Sequence, residues 1–320
     1  MKKSLIALAV AGALTAPMVA QADATLYGSM RVILADVDGD KLDVQDGTSR
    51  IGIKGDVDLG IDGVKGIYNF ETRLRADSGS FGGSDARLSN IGITGDFGTA
   101  LAGRQYTPHW LWTSAVTDAT WNDANIGTVR ESVLRQPNSI AYISPNMSGF
   151  QAAVAVVANG GTTGEDLDAV NFAVKYAANG LHVGLSRTTN DDGTNETDNT
   201  GFAASYSMDA FKVVGRYQEE ERAGSTDVET KQLGVAYNMG ATTLQARFTN
   251  VDIDTIDGDQ WAVGIQHMLG SQGRVFLEYA DVDSDWTTMF DGTTLGTQTA
   301  ALATANRETD TLSIGYRLDF

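Results

Sequence analysis

Val170 to Ser186 reads VNFAVKYAANGLHVGLS, and its side chains sort by twos. Val170, Phe172, Val174 and Tyr176 alternate with Asn171, Ala173 and Lys175. Ala178-Asn179-Gly180 turns the chain, and Leu181, Val183 and Leu185 then alternate with His182, Gly184 and Ser186. Successive strand side chains leave on opposite faces, so this stretch predicts a β-hairpin with one apolar and one polar face.

Outward from that hairpin the alternation repeats. Phe202, Ala204, Tyr206 and Met208 turn at Asp209-Ala210 into Phe211 and Val213. Leu233, Val235 and Tyr237 lead into Leu244, Ala246 and Phe248, and Trp261, Val263 and Ile265 into Val275, Leu277 and Tyr279. Leu312, Ile314, Tyr316, Leu318 and Phe320 end the chain. Sixteen segments start near Ala24, Arg50, Val64, Arg87, Ala100, Arg135, Phe150, Ala169, Leu181, Gly201, Phe211, Lys231, Ala241, Gln260, Arg274 and Thr309. Their connections alternate between short turns, such as Asp96 to Thr99 and Pro145 to Gly149, and long acidic ones, such as Asp36 to Thr48 and Asp281 to Glu308.

Short turns on one rim and long loops on the other fit an up-and-down barrel spanning a membrane; a soluble sandwich or solenoid would not sort its connections that way. Open sheet edges in hydrocarbon would leave backbone groups unpaired at several kcal/mol each, so the sheet must close. The expected fold class is all-β: a sixteen-stranded antiparallel transmembrane β-barrel.

The ends and the composition agree with an exported chain. Met1-Lys2-Lys3, the apolar run Leu5 to Leu14 and Ala20-Gln21-Ala22 predict a secretory signal peptide over residues 1–22, leaving the barrel in 23–320. There is no Cys, so the exported protein uses no disulfide, and an extensive hydrogen-bonded sheet is the alternative source of stability. The net charge of −18 becomes −20 once Lys2 and Lys3 are removed. Nucleic acid is thereby an unfavourable partner.

One stretch stops reading as strand. From Thr107 to Leu134 the chain carries three of its five Trp, Trp110, Trp112 and Trp121. A loop this long inside a compact domain is functional or disordered, and its aromatic content argues for packing. It is expected to fold into the barrel and narrow a water-filled pore, its Trp side chains packing on the wall.

Thr25-Leu26-Tyr27-Gly28, Ser49-Arg50-Ile51-Gly52-Ile53-Lys54-Gly55, Asp96-Phe97-Gly98-Thr99 and Gly103-Arg104-Gln105-Tyr106-Thr107-Pro108 stand in this order along the chain. With Arg135, Asn138-Ser139-Ile140-Ala141-Tyr142 and a terminal Phe320, this series resembles the Gram-negative general-diffusion porins over nearly its whole length. The resemblance implies a homotrimeric outer-membrane barrel that passes small hydrophilic solutes, with the long loop folded inward as a constriction. It also implies outer-membrane lipid and lipopolysaccharide as surroundings, and a terminal Phe320 read by the barrel-assembly machinery.

Carried over residue by residue, the family's basic wall cluster falls on Arg50, Arg104 and Arg135. Many relatives have Lys where Ser29 stands, so either the wall is less positive here or Arg31 substitutes. Alternation along the third segment independently adds Arg73 and Arg75 to the lumen face. Asp118, Asp123 and Glu131 are the loop's acidic residues. Set against guanidinium groups they would create a transverse field at the constriction, though the sequence leaves open which of them face the lumen. Net charge and acidic outer loops lead to an expectation of mild cation preference.

Other readings have less to stand on. His109, His182 and His267 are far apart in sequence and accompany no nucleophile or zinc motif, so no enzyme, metal or cofactor is expected. A barrel hydrolase with a spatially assembled Ser-His group is the enzymatic alternative, and an adhesin or anchor is the third class. The acidic runs from Asp36 and Asp281 reach Gly47 and Gly292 at the twelfth position, where an EF-hand needs Glu.

Overall fold

Alternating segments hide their polar faces from lipid only if the sheet rolls into a cylinder, and this chain does so. The computed structural model describes residues 23–38, 41–118, 134–160, 167–191, 196–223, 226–253, 256–283 and 309–320. The predicted signal peptide lies outside them. The strands in chain order are β1 (Asp23–Val37), β2 (Asp43–Asp46), β3 (Arg50–Ile61), β4 (Val64–Leu74), β5 (Phe81–Gly95), β6 (Gly98–Tyr106), β7 (Arg135–Ile143) and β8 (Phe150–Val157). There follow β9 (Ala169–Ala178), β10 (Leu181–Asp191), β11 (Glu196–Met208), β12 (Phe211–Arg222), β13 (Val228–Met239), β14 (Thr242–Ile253), β15 (Ile256–Leu269), β16 (Gly273–Val282) and β17 (Thr309–Asp319).

Apart from β2 and β3, each strand pairs antiparallel with its neighbours in sequence, and β17 returns to β1, Ser29 opposite Asp319 and Val37 opposite Thr311. Both β2 and β3 lie along β1, Asp43 to Asp46 facing Ala35 to Val32 and Arg50 to Asp56 facing Ser29 to Asp23. They are one stave broken at residues 47–49, where Thr48 takes φ 68°. The seventeen strands therefore form a closed barrel of sixteen staves. The chain end completes the seam: the Gly28 N–H donates to the Phe320 carbonyl at 2.8 Å and the Phe320 N–H to the Gly28 carbonyl at 3.1 Å.

The two faces are inverted relative to a water-soluble protein. Ile91 is 68% exposed and Ile140 62%, whereas Asn199 and Gln260 are 1% exposed on the inside. Aromatic pairs mark both edges of the outer apolar band. Phe150 with Tyr176 (4.6 Å) and Phe211 with Tyr237 (4.5 Å) lie by the short turns, and Trp261 with Tyr279 (5.3 Å) lies toward the long loops. Amphipathic rings collect at membrane interfaces in this way.

The hairpin of the opening stretch turns through Asn179 (φ 52°) and Gly180 (φ 79°), the left-handed pair that matches strand twist. The inside is not polar throughout, however. Ile33, Ala35, Val251, Ala262, Phe276, Ala280 and Val282 form a buried apolar strip across β14 to β16 and β1. Simple alternation did not foresee it, because period two reports which face a residue takes and not what meets it there.

Candidate functional site

On the inner wall, two guanidinium groups share one carboxylate and a third lies beside them over a tyrosine ring. Arg50 opens β3, opposite Ser29, and its Nε lies 3.7 Å from the Glu71 Oε2 of β4. Between β4 and β5 the register slips, Glu71 facing Leu88 and Thr72 facing Ala86. The slip leaves Arg87 as the extra residue of a bulge, which re-aims its side chain. The Arg87 Nε donates to Glu71 Oε1 at 2.5 Å and its Nη2 to the Tyr106 hydroxyl at 3.1 Å. Arg135, first in β7, places its guanidinium 5.3 Å from the centre of the Tyr106 ring, and its buried Nη1 has no hydrogen-bond partner. Among the described residues, Glu71 is thus the one carboxylate paired within a cluster of three guanidinium groups.

Arg73 shares the inner register with Arg50 but is compensated, its Nε and Nη2 both 3.3 Å from Asp46 Oδ2. Asp46 also accepts the backbone N–H groups of Ser49 and Ala76, so it closes the break between β2 and β3. Arg75 lies beyond the end of β4, its N–H donating to the Ser80 carbonyl. Arg31 is buried on the inner face, where its Nε donates to Ser29 Oγ at 2.8 Å and its Nη1 to Thr48 Oγ1 at 3.4 Å. It ties down the same break.

Arg104 departs from its expected position in the lumen cluster. It pairs with Ser89, on the face that carries Ile91 and Ala102, and its Nε donates to the Ala86 carbonyl at 2.9 Å. Ile91 points outward, so register puts Arg104 outside the barrel wall. Sequence reasoning chose it by motif and missed Arg87, because a bulge changes facing without leaving a mark in the alternation.

The described residues after β6, 107–118, pack against the wall. Thr107 Oγ1 accepts the Trp110 N–H at 3.1 Å and starts a π-helical turn (Trp110–Ser114) that passes into α1 (Ala115–Asp118). These turns touch β9 to β13. His109 is wholly buried as the anchor: its N–H donates to Asn171 Oδ1 (2.9 Å), and its ring bridges Ser186 Oγ (2.7 Å) and Gln218 Oε1 (3.3 Å). Gln218 Oε1 also accepts from Arg216, so His109 Nε2 donates to it. A second histidine, His182, donates from Nε2 to the Trp112 carbonyl at 2.9 Å.

Small residues make the bed. A Cβ on Gly201 would come within 2.7 Å of the His109 ring, and one on Gly184 would collide with the Trp112 carbonyl. Trp112 is buried against Ala153 and Ala173, and Trp110 stacks on Tyr106 with centroids 4.2 Å apart. Trp121, Asp123, Glu131 and the side chain of Asp118 lie outside the described residues.

The Ser186–His109 contact has the composition of a catalytic pair, but both residues are buried and the second ring nitrogen meets an amide in place of a carboxylate. His267 bonds Thr242 on the outer face. Among the described residues no group of three or more His, Cys, Asp or Glu could hold a metal ion.

Comparison with known proteins agrees with this architecture. A family model described as Gram-negative porin matches residues 7–287. Outer membrane porin protein 32 of Delftia acidovorans is 29% identical over 309 residues, covering 88% of this chain and 80% of that protein. The anion-selective porin from Comamonas acidovorans superposes with a TM-score of 0.76 at 21% identity, over 93% of this chain and all of that one. The trimer form of OmpT, an outer membrane protein of Vibrio cholerae, superposes with a TM-score of 0.67 at 18% identity, over 93% of this chain and 99% of that one.

Proposed function

Because the chain belongs to the Gram-negative porin family and is an outer-membrane channel protein, we propose that it lets small hydrophilic solutes and ions diffuse passively between the positive patch of β3 to β7 and the loop entering at Thr107. The observation that carries this reading is the pairing of an apolar outer face with an inner wall on which, among the described residues, Arg50 and Arg87 share the carboxylate of Glu71 and Arg135 lies over the Tyr106 ring. Residues 107–118, seated on β9 to β13, support a narrowing of the lumen by that loop.

The ion preference in this reading is for anions, opposite to what the net charge suggests. Many carboxylates, among them Glu219, Glu221, Glu229 and Asp252, stand on the outer register or close to the long loops. Exposed charges are screened over about 8–10 Å in physiological salt, so those at the rim and outside act weakly on an ion in the lumen. Arg50, Arg87, Arg135, Lys54, Lys175 and Lys212 line the inner face and act at close range. A homotrimer is part of the same reading, supported by the trimer form of the Vibrio cholerae protein. So are a lipopolysaccharide surround and recognition of Phe320 by the assembly machinery.

Reversal potential of the purified protein in planar bilayers under a potassium chloride gradient tests the proposal. An anion-directed potential is expected. A cation-directed one overturns the preference, and the absence of any conductance overturns the pore.

A further inference from the structure

Three cations of the inner wall lie over an aromatic ring in place of a carboxylate. Lys54 is 5.0 Å from the centre of the Tyr27 ring, Arg135 5.3 Å from that of Tyr106, and Lys175 5.0 Å from that of Trp112. None of them has an ion-pair partner among the described residues. A ring orients a cation through its quadrupole but carries no formal charge, so the cation is held in place without being neutralised.

Lys175 stands apart from the other two. Arg135 belongs to the arginine patch and Lys54 to the same side of the barrel, whereas Lys175 is on β9, beneath the loop root. It pairs with Gly184, closer to the Asn179–Gly180 turn than the Ala173–Ser186 pair beside His109. Its ring partner is rigid, because Trp112 is packed on Ala153 and Ala173 and its carbonyl is held by His182. The ammonium therefore has one side on a fixed indole and keeps donors for the lumen.

We propose that Lys175, held by Trp112, is a binding station for small anions on the short-turn side of the loop root. An anion leaving the arginine patch meets there a further unpaired cation before the periplasmic mouth, as conduction through successive weak sites requires. This rests on the anion-preferring reading above and makes it specific by naming a residue outside the arginine patch.

The test uses the intact porin in planar bilayers with inorganic phosphate as the probe. Conductance is followed over a series of potassium phosphate concentrations for the wild type, Lys175→Gln, Lys175→Met, Lys175→Arg and Lys65→Gln. Lys65 lies near the short-turn rim but is paired with Asp56 at 2.7 Å, so Lys65→Gln makes the same charge change without removing an unpaired cation. Wild-type conductance is expected to saturate, and both neutral Lys175 variants to raise the half-saturating concentration about threefold, the scale of one solvated ion pair. Lys175→Arg should keep the wild-type value and Lys65→Gln should stay near it. A wild type that does not saturate, an unmoved half-saturation in the neutral variants, or an equal shift in Lys65→Gln overturns the station. Reversal potential in potassium chloride reads the anion preference separately: a cation-directed potential beside an intact phosphate shift would overturn the preference and leave the station standing.

Discussion

Gly201 makes room for His109: a Cβ at that position would sit 2.7 Å from the imidazole Cε1 and 3.0 Å from Thr113 Oγ1. The loop root is therefore seated on the wall by an absence of side chain as much as by hydrogen bonds. Gly201→Val should push the root off β10 and β11 while leaving every strand pair in place. Overpacking of this kind costs about 1–3 kcal/mol. The variant is expected to fold into a heat-modifiable barrel whose single-channel conductance is broader and noisier than the wild type. An unchanged conductance distribution would show that the root does not shape the pore.

Glu71 is the sole carboxylate within ion-pair distance of Arg50 and Arg87 among the described residues. Glu71→Gln removes the one compensating charge and leaves the hydrogen-bonding outline nearly intact. The reversal potential should move further in the anion direction, with a smaller effect at high salt because screening shortens the reach of the patch. A shift toward cations would mean that Glu71 does not govern the local field.

Arg135 and Arg104 separate lumen from outer face. Arg135→Gln takes away a guanidinium whose partner among the described residues is the Tyr106 ring and should shift selectivity toward cations. Arg104→Gln changes a residue on the Ser89 and Ile91 face and should leave the reversal potential where it was. Equal responses of the two variants would contradict the register assigned to β6.

Gly28 and Phe320 define the seam. A side chain on Gly28 would run into the Phe320 ring and come within 2.9 Å of the Arg50 carbonyl. Gly28→Val is expected to lower the yield of heat-modifiable barrel in refolding and the temperature at which it unfolds on gels. Phe320→Ala, which empties the space the valine needs, should restore part of the unfolding temperature in the double variant. No recovery would place the cost of Gly28→Val at the backbone of Arg50 instead.

Barrel, stave count and lumen-facing sets were legible along β9 to β17 because hydrogen-bonded pairing forces period two, and lipid on one side selects apolar residues at every second position. Asn171, Lys175, His182 and Ser186 could be assigned to one face from VNFAVKYAANGLHVGLS alone. Composition, lacking Cys, pointed to a sheet as the source of stability.

Where a strand departs from ideal pairing, the sequence loses its power to say which way a side chain goes. The bulge at Arg87 turned a residue read only as the start of a segment into the centre of the arginine patch, while Arg104, chosen by motif, stayed on the outer face. The seating of His109 between Ser186 and Gln218 joins residues 77 and 109 positions away, and the ring over Lys175 comes from a loop rather than a neighbouring strand. Period two is a local consequence of backbone geometry and can be read from consecutive residues. Which charges share a carboxylate, which rest on a ring and which remain open to an ion depends on closure of the cylinder and on what the entering loop covers, and only the tertiary structure decides that.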